Sequence, residues 1–325
     1  MDDTFDVDLV YLWVDGSDPL WLAKKNAELP KFADLDINAA AKGRFCNNDE
    51  LKYSLRSVEK FAGWINKIYI VTDSQIPEWL NTRHPKITVI NHKDIMPPEA
   101  LPCFNSLALE ARIHHIEGLS EHFLYANDDM FFAGKTDKSF FFEKSGIPIV
   151  RLGKRLRTDE DNIHLQVVKN AQDKIFKTFG FRIKNIPHHN IDAYTKTNYI
   201  NCMEVFEEDF KKTALSKFRH RSNMARVIVD YYAAALKRAR MKIVRKVDTD
   251  LPFHKRALNT LAGIYEIDSI YVYPKKIRSC KKKLKKLKPK LFCINDSEIA
   301  TDEQRVQIRN FLDEFFFEKS GFECL

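Results

Sequence analysis

His122-Phe123-Leu124-Tyr125-Ala126-Asn127-Asp128-Asp129 is a short apolar run that ends on an amide and two carboxylates. The run reads as a buried strand that presents its acids at the carboxyl end. Paired carboxylates at a strand end suit a hard divalent cation bridging diphosphate oxygens. Read alone, the same three residues also make an Asx-rich turn capping the next element.

Towards the amino terminus the pattern repeats. Phe5 to Val14 is a strand that stops at Asp15-Gly16-Ser17-Asp18-Pro19. Lys67 to Asp73 and Lys86 to His92 are two β-branched runs parted by Pro77 and a turn at Glu78 to Leu80. Between and after them, Asn48 to Phe61 has helical spacing, with Leu51, Leu55 and Val58 on one face, and Phe104 to Ile116 has the same period. Strand and helix alternate, which predicts a doubly wound α/β fold with a mostly parallel, Rossmann-like sheet flanked by helices. In such sheets ligands gather beyond the carboxyl ends of the strands, so Asp15, Asp73 and Asp128 are expected along one edge. Gly16 would let backbone approach a nucleotide closely, although Asp-Gly is also an ordinary turn signal.

Towards the carboxyl terminus the composition shifts after Gly153. Ile191 to Lys212 and Ser222 to Arg240 read as long helices, giving a largely α-helical part expected to pack over the active edge. Pro187-His188-His189-Asn190 precedes the first of these helices and Arg219-His220-Arg221 the second. A near-neutral imidazole can take a proton from an attacking hydroxyl, and a guanidinium can hold phosphoryl charge, though a lone histidine is more often structural. Thr301-Asp302-Glu303-Gln304 has the capping-box form and opens a final helix towards Phe317. The expected organisation is a sheet-bearing core over 1–153, a helical part over 154–273, and a basic segment with a strand and helix over 274–325 that returns to the core.

Composition sets outer bounds. The chain has 325 residues, of which 44% are hydrophobic, with 24 Phe, and this excludes a disordered protein. Net charge is +8, yet Lys275 to Lys290 holds ten Lys or Arg and no acid, so the remainder carries about −2. Charge so localised argues against a nucleic-acid partner. The run either binds an anionic lipid surface or acidic glycan, as a peripheral membrane contact, or is a solvated linker. Six well-separated cysteines form no C-x-x-C pair, which fits a reducing compartment. The acidic start Met1-Asp2-Asp3-Thr4 and the lack of an apolar run near the roughly 18 residues of a span predict no leader, no span and a cytoplasmic location, at most at the inner membrane face.

Several blocks together are more specific. Tyr11-Leu12-Trp13-Val14-Asp15-Gly16-Ser17-Asp18, Arg44-Phe45 with Glu50 to Ser57, Ile70-Val71-Thr72-Asp73, Leu101 to Ser106, Gly118 to Glu121, Tyr125 to Phe131, Pro187-His188-His189, Lys217-Phe218-Arg219 and Cys293-Ile294-Asn295-Asp296 resemble, in order, the Stealth family. That family includes bacterial capsular polysaccharide phosphotransferases and the catalytic subunit of the lysosomal N-acetylglucosamine-1-phosphotransferase. The resemblance implies a glycosyltransferase-A-like fold, a UDP-sugar donor, a glycan acceptor that is free or lipid-linked, and Mg²⁺ or Mn²⁺. It implies attack of an acceptor hydroxyl on the β-phosphorus, so that hexose-1-phosphate, with an N-acetylhexosamine as the expected hexose, is transferred and UMP leaves. Carried over by position, Asp15, Gly16, Asp18, Arg44, Asp73, Asn105 and Asn127 serve the nucleotide, and Asp128, Asp129, Asn295 and Asp296 the metal. His189, with His188 as its alternative, serves the acid/base step together with Asp128, and Arg219 the phosphate charge. Asn47 stands where an acid is common, Ser74 where glycine is usual, and Cys103 where threonine is usual. The competing readings are a conventional glycosyltransferase that releases UDP, and a non-catalytic glycan- or membrane-binding protein.

Overall fold

β1 (Val7–Leu12) is buried at every position, as its Val, Leu and Tyr side chains require of a strand covered on both faces. Its one acid, Asp8, is satisfied by Asn66, Lys67 and Ser120. The structure is a computed structural model that describes residues 5–32, 45–156, 162–244, 269–294 and 301–324. After α1 (Pro19–Glu28) and α2 (Glu50–Phe61) come β2 (Ile68–Thr72), β3 (Ile87–Asn91), the short α3 (His92–Ile95), α4 (Ser106–Glu110) and β4 (His122–Asn127). β1 pairs in parallel with β2 and β4, and β2 with β3. The expected mostly parallel, Rossmann-like α/β sheet is therefore present, and the carboxyl ends of β1 to β4 lie along one edge. Alternate side chains fill two layers, Val10, Tyr69, Phe123 and Tyr125 on one face and Leu9, Tyr11, Ile70 and Leu124 on the other. Leu51, Leu55 and Val58 of α2 seal the second layer, the face their spacing predicts.

The second half departs from the expected helices. β5 (Met130–Phe132), β6 (Ile149–Arg155), α5 (Ile163–Phe179) and β7 (Asn185–Pro187) lead to β8 (Asp192–Thr195), which pairs antiparallel with β4 and completes the sheet order β3-β2-β1-β4-β8. The helix expected over Ile191 to Lys212 is thus β8 followed by α6 (Lys196–Val205) and α7 (Glu207–Ala214). Tyr194 and Ala193 favour the half-open edge of β4, where they are buried, over a helix. The helix expected over Ser222 to Arg240 is only α8 (Val227–Ala235), because Lys237 at φ 58° turns the chain into β9 (Arg240–Ile243) beside β6. α4 likewise stops at Glu110, followed by a single 3-10 turn, Ile113–His115. α5 is opened by the Asn162 side chain, which accepts from the His164 N–H, and closed by Gly180 at φ 67°.

The last part returns to the core. β10 (Ser269–Val272) pairs in parallel with β11 (Leu291–Ile294), and β11 runs antiparallel to β5, the strand that follows Asp129. The basic run forms α9 (Ile277–Leu287), which buries Ile277, Cys280 and Leu284 and leaves Lys282, Lys285 and Lys286 exposed. Thr301 and Gln304 form the expected capping box on α10 (Asp302–Phe315). Among the described residues no helix is long and apolar enough to cross a membrane.

One buried ion pair locks this closure. The Arg56 guanidinium of α2 donates to both Glu323 carboxylate oxygens, at 2.8 and 2.7 Å, and to the Phe316 carbonyl. Burial opposes the charge of Glu323, but the hydrogen bonds from Arg56 and Ser320 outweigh it and hold the carboxyl below its ordinary range. Removing one partner leaves a buried charge behind, so Glu323→Gln should destabilise by about 3–5 kcal/mol at neutral pH. The stabilisation from a depressed carboxyl is full above the unfolded value near ~4.3 and fades as pH falls through the native one. Urea denaturation as a function of pH should therefore show the wild type and Glu323→Gln converging in acid.

Candidate active site

Asn127, Asp128 and Asp129 occupy the tip of β4 and the turn into β5. Burial, then the charges of Glu50 and Asp129, push the Asp128 carboxyl well above the ordinary carboxylate range. Glu50 begins α2 and is itself buried, with both carboxylate oxygens held by Asn48 at 2.6 Å. Three carboxyl groups are therefore crowded where sequence reading expects two.

β8 brings the imidazoles. Because it runs antiparallel to β4, with Asp192 opposite Tyr125, the residues before it fall at the carboxyl edge of the parallel strands. His188 is buried and its N–H donates to the Arg151 carbonyl of β6 at 2.8 Å. His189 is half-buried and offers a ring nitrogen to the same spot as Asp129 and Cys293, the three ligand atoms lying within 4.8 Å of one another. Of the two histidines, His189 faces the carboxylates. Burial, then the charges of His164, Arg226, His188 and Arg219, push its imidazole down to about 3. It is neutral across the physiological range.

Arg219 is brought in by the segment between α7 and α8. The Asn105 side chain caps α4 and donates to the Ser216 and Phe218 carbonyls and to Asn223, which fixes the backbone on both sides of Lys217 and just before Arg219. The Arg219 guanidinium donates to the Ser106 hydroxyl, and burial lowers its proton affinity against the opposing pull of Glu110 and Tyr125. Tyr125 in turn donates to the Asn127 side chain at 2.8 Å and to Glu110 at 3.1 Å. Beneath this chain Arg226 is bound by Asp192 at 2.7 Å and Glu110 at 3.8 Å and lies over the Tyr125 ring at 4.2 Å. His189, Arg219 and the carboxylate pair thus share one polar neighbourhood.

The remaining expected residues line the rest of the edge. Asp15 is held ionised: burial opposes its charge, but Ser17 and Asn47 outweigh it. An acid at 47 would repel Asp15, whereas Asn47 donates to it at 3.1 Å. Gly16 has no room for a side chain, since a Cβ would meet Phe45 at 2.4 Å. Asp18 caps α1 by accepting from the Trp21 N–H. Asp73 pairs with Lys24 at 3.0 Å, and Ser74 after it sits at φ 61°, the region that favours the family's glycine. Cys103 is buried and donates weakly to the Asn105 carbonyl. Arg44, Asn295 and Asp296 lie outside the described residues, although Ile294 donates its N–H to the Asp129 carbonyl.

Sequence reading misses Glu50, Glu110, Arg226 and Cys293 as parts of this site. A signal was present for Glu110, a carboxylate set inside the apolar Leu107-Ala108-Leu109-Glu110-Ala111. Cys293 gives no such signal, because only the β5 and β11 pairing, Met130 opposite Cys293, brings it to Asp129. Burial and the Asp129 carboxylate it hydrogen-bonds push its thiol up, so it is a protonated donor there.

Carboxylates forced together in a buried edge fit a hard cation, whose charge would relieve their repulsion. The His189 imidazole and the Cys293 thiol beside Asp129 would suit a softer cation such as zinc.

The fold and this edge define an α/β protein whose crowded carboxylates share one sheet edge with an imidazole and a guanidinium. Residues 5–33 match Stealth protein CR1, conserved region 1, and residues 44–150 match Stealth protein CR2, conserved region 2. Relatives include exopolysaccharide phosphotransferases of Streptomyces coelicolor, 34% identical over 98% of this chain and 52% of that protein, and of Nocardia farcinica, 32% identical over 98% and 61%. Another from Mycobacterium tuberculosis is 39% identical over 73% of this chain and 46% of its own length. The chain belongs to the Stealth family. It spans roughly half the length of these relatives. A glycosyltransferase of Streptococcus pneumoniae overlays 97% of this chain and 61% of its own at a TM-score of 0.43 and 11% identity, too distant a likeness to carry an argument.

Asn105 offers a direct check on how Arg219 is placed. Asn105→Asp keeps the oxygen that caps Leu107 but loses the amide protons that hold Ser216 and Phe218, leaving buried carbonyls unpaired. We expect a loss of about 2–4 kcal/mol in chemical denaturation, with Asn105→Ala no less damaging.

Proposed function

We propose that the chain is a sugar-1-phosphate transferase that moves hexose-1-phosphate from a UDP-sugar, with an N-acetylhexosamine as the expected hexose, to a glycan hydroxyl and releases UMP. The observation that carries this reading is the neutral, half-buried imidazole of His189 beside Asp129, with the Arg219 guanidinium close enough to lower its proton affinity. The names of the relatives, exopolysaccharide phosphotransferases, support the same class of reaction and a place in surface polysaccharide synthesis.

In this reading Asp128 and Asp129 hold Mg²⁺ or Mn²⁺, which when bound neutralises diphosphate charge. Asp15, Asp73 and Asn127 line the nucleotide side of the edge. His189 takes the proton of the acceptor hydroxyl as its oxygen forms a bond to the β-phosphorus. The bond from that phosphorus to the bridging oxygen breaks, and the electron pair leaves with UMP. Arg219 holds the phosphoryl oxygens while charge redistributes. Phosphoryl transfer needs positioning and charge neutralisation more than covalent help, and this set supplies both.

The by-product decides between this reaction and ordinary glycosyl transfer. Incubation with UDP-N-acetylhexosamine, acceptor and Mg²⁺ should yield UMP, and UDP alone would overturn the proposal. His189→Ala and Arg219→Ala should each lower turnover by at least about 10²-fold, while Asp129→Asn should also abolish metal dependence.

The exposed lysines of α9 support a peripheral contact with an anionic membrane surface. Since the apolar side of α9 faces inward, the contact would be electrostatic, without insertion. Co-sedimentation with phosphatidylserine vesicles should fall steeply with salt and with neutralisation of Lys282, Lys285 and Lys286; binding indifferent to both would remove it.

A further inference from the structure

We propose that Asp129, His189 and Cys293 form a thiolate-containing site for Zn²⁺ that excludes the hard cation held by Asp128 and Asp129, so that zinc switches the enzyme off. The inference rests on the transferase reading above and adds regulation of its site.

One ligand atom from each of the three side chains lies within 4.8 Å of the other two. The ligands of a four-coordinate zinc stand roughly 3.3–3.8 Å apart, so modest side-chain rotations close the set. The three residues come from distant parts of the chain: Asp129 from the turn after β4, His189 from the segment before β8, and Cys293 from β11. Strand pairing fixes two of them, since Met130 stands opposite Cys293 and the Ile294 N–H donates to the Asp129 carbonyl at 2.8 Å. Asp129 and His189 are half-buried and Cys293 is buried. An ion therefore enters from the carboxylate and imidazole side and meets the thiol at the floor.

One sulfur, one nitrogen and one oxygen make a borderline-soft donor set, which suits zinc, whereas Mg²⁺ takes oxygen alone. In the ion-free protein the Cys293 thiol is hydrogen-bonded to the Asp129 carboxylate. Binding exchanges that hydrogen bond for two bonds to the ion, and the thiol proton passes to solvent. A dication held by one carboxylate and one thiolate leaves the spot without net charge, the condition a partly buried edge favours.

Sharing of residues makes the two ions rivals. Zinc neutralises Asp129 and draws it towards Cys293, which leaves Mg²⁺ with one carboxylate in place of two. Zinc also takes the His189 lone pair that the proposed reaction uses to accept a proton, so occupancy of this trio blocks both the cation and the base.

The full chain, stripped of metal by dialysis against a chelator, is titrated with Co²⁺ as a coloured stand-in for zinc. One equivalent should give a thiolate-to-cobalt charge-transfer band in the near ultraviolet, which Zn²⁺ abolishes and an equal amount of Mg²⁺ does not. Cys293→Ser should lack the band. His189→Gln, which leaves the buried β11 untouched, should weaken zinc binding at least about tenfold. In a second titration zinc should release Mn²⁺ already bound to the protein, read as the return of the free-ion paramagnetic resonance signal. No charge-transfer band, a band that survives in folded Cys293→Ser, unchanged zinc affinity in His189→Gln, or Mn²⁺ that stays bound at saturating zinc would each overturn the proposal. A wild type that binds no Mn²⁺ and releases no UMP in Mg²⁺ would instead count against the transferase reading, and the cobalt spectrum would still decide the zinc site.

Discussion

Glu50, Asp128 and Asp129 are three carboxyl groups crowded at one half-buried sheet edge, and their mutual repulsion is the constraint around which the rest of the protein is arranged. Burial removes the water that would screen them, so the edge favours either a proton on Asp128 or a cation between the acids. A protein gains nothing in stability from such an arrangement. A cation bound between the acids would relieve that repulsion.

The surrounding polar groups hold this edge rigid. Arg226, Asp192, Glu110, Tyr125 and Asn127 form a continuous chain of hydrogen bonds and ion pairs that ends one residue from Asp128. Asn105 does the same for the strand of backbone before Arg219. Positions fixed in this way need no reorganisation when charge moves, which is how electrostatic catalysis is supported. The Arg56 and Glu323 pair plays the matching role on the far side of α2, keeping the β11 to α10 region closed on the core.

Local signals in the chain made the first half legible. Apolar runs that end on acids gave β1, β2 and β4, the heptad-like spacing of Leu51, Leu55 and Val58 gave α2, and Thr301 with Gln304 gave the last helix its start. The second half was misread where pairing overrides propensity. Ile191 to Thr195 carries no strong period, and only the open edge of β4 makes it a strand; α5, β6, β7 and β9 went unnoticed for similar reasons. That misreading matters for the site, because the antiparallel sense of β8 is what places His189 at the acidic edge. Asp129 and His189 are legible as an acid at a strand end and an imidazole before a predicted helix, with roles added by the family resemblance, whereas Glu50, Arg226 and Cys293 depend on contacts between residues tens to hundreds of positions apart.

The most direct measurement is anomalous diffraction from crystals soaked with Mn²⁺ and UDP-N-acetylhexosamine. The account predicts a manganese peak at about 2.0–2.3 Å from carboxylate oxygens of Asp128 or Asp129, with the β-phosphate lying between that ion and the side chains of His189 and Arg219. A manganese ion at another place, or a diphosphate bound away from His189, would contradict it.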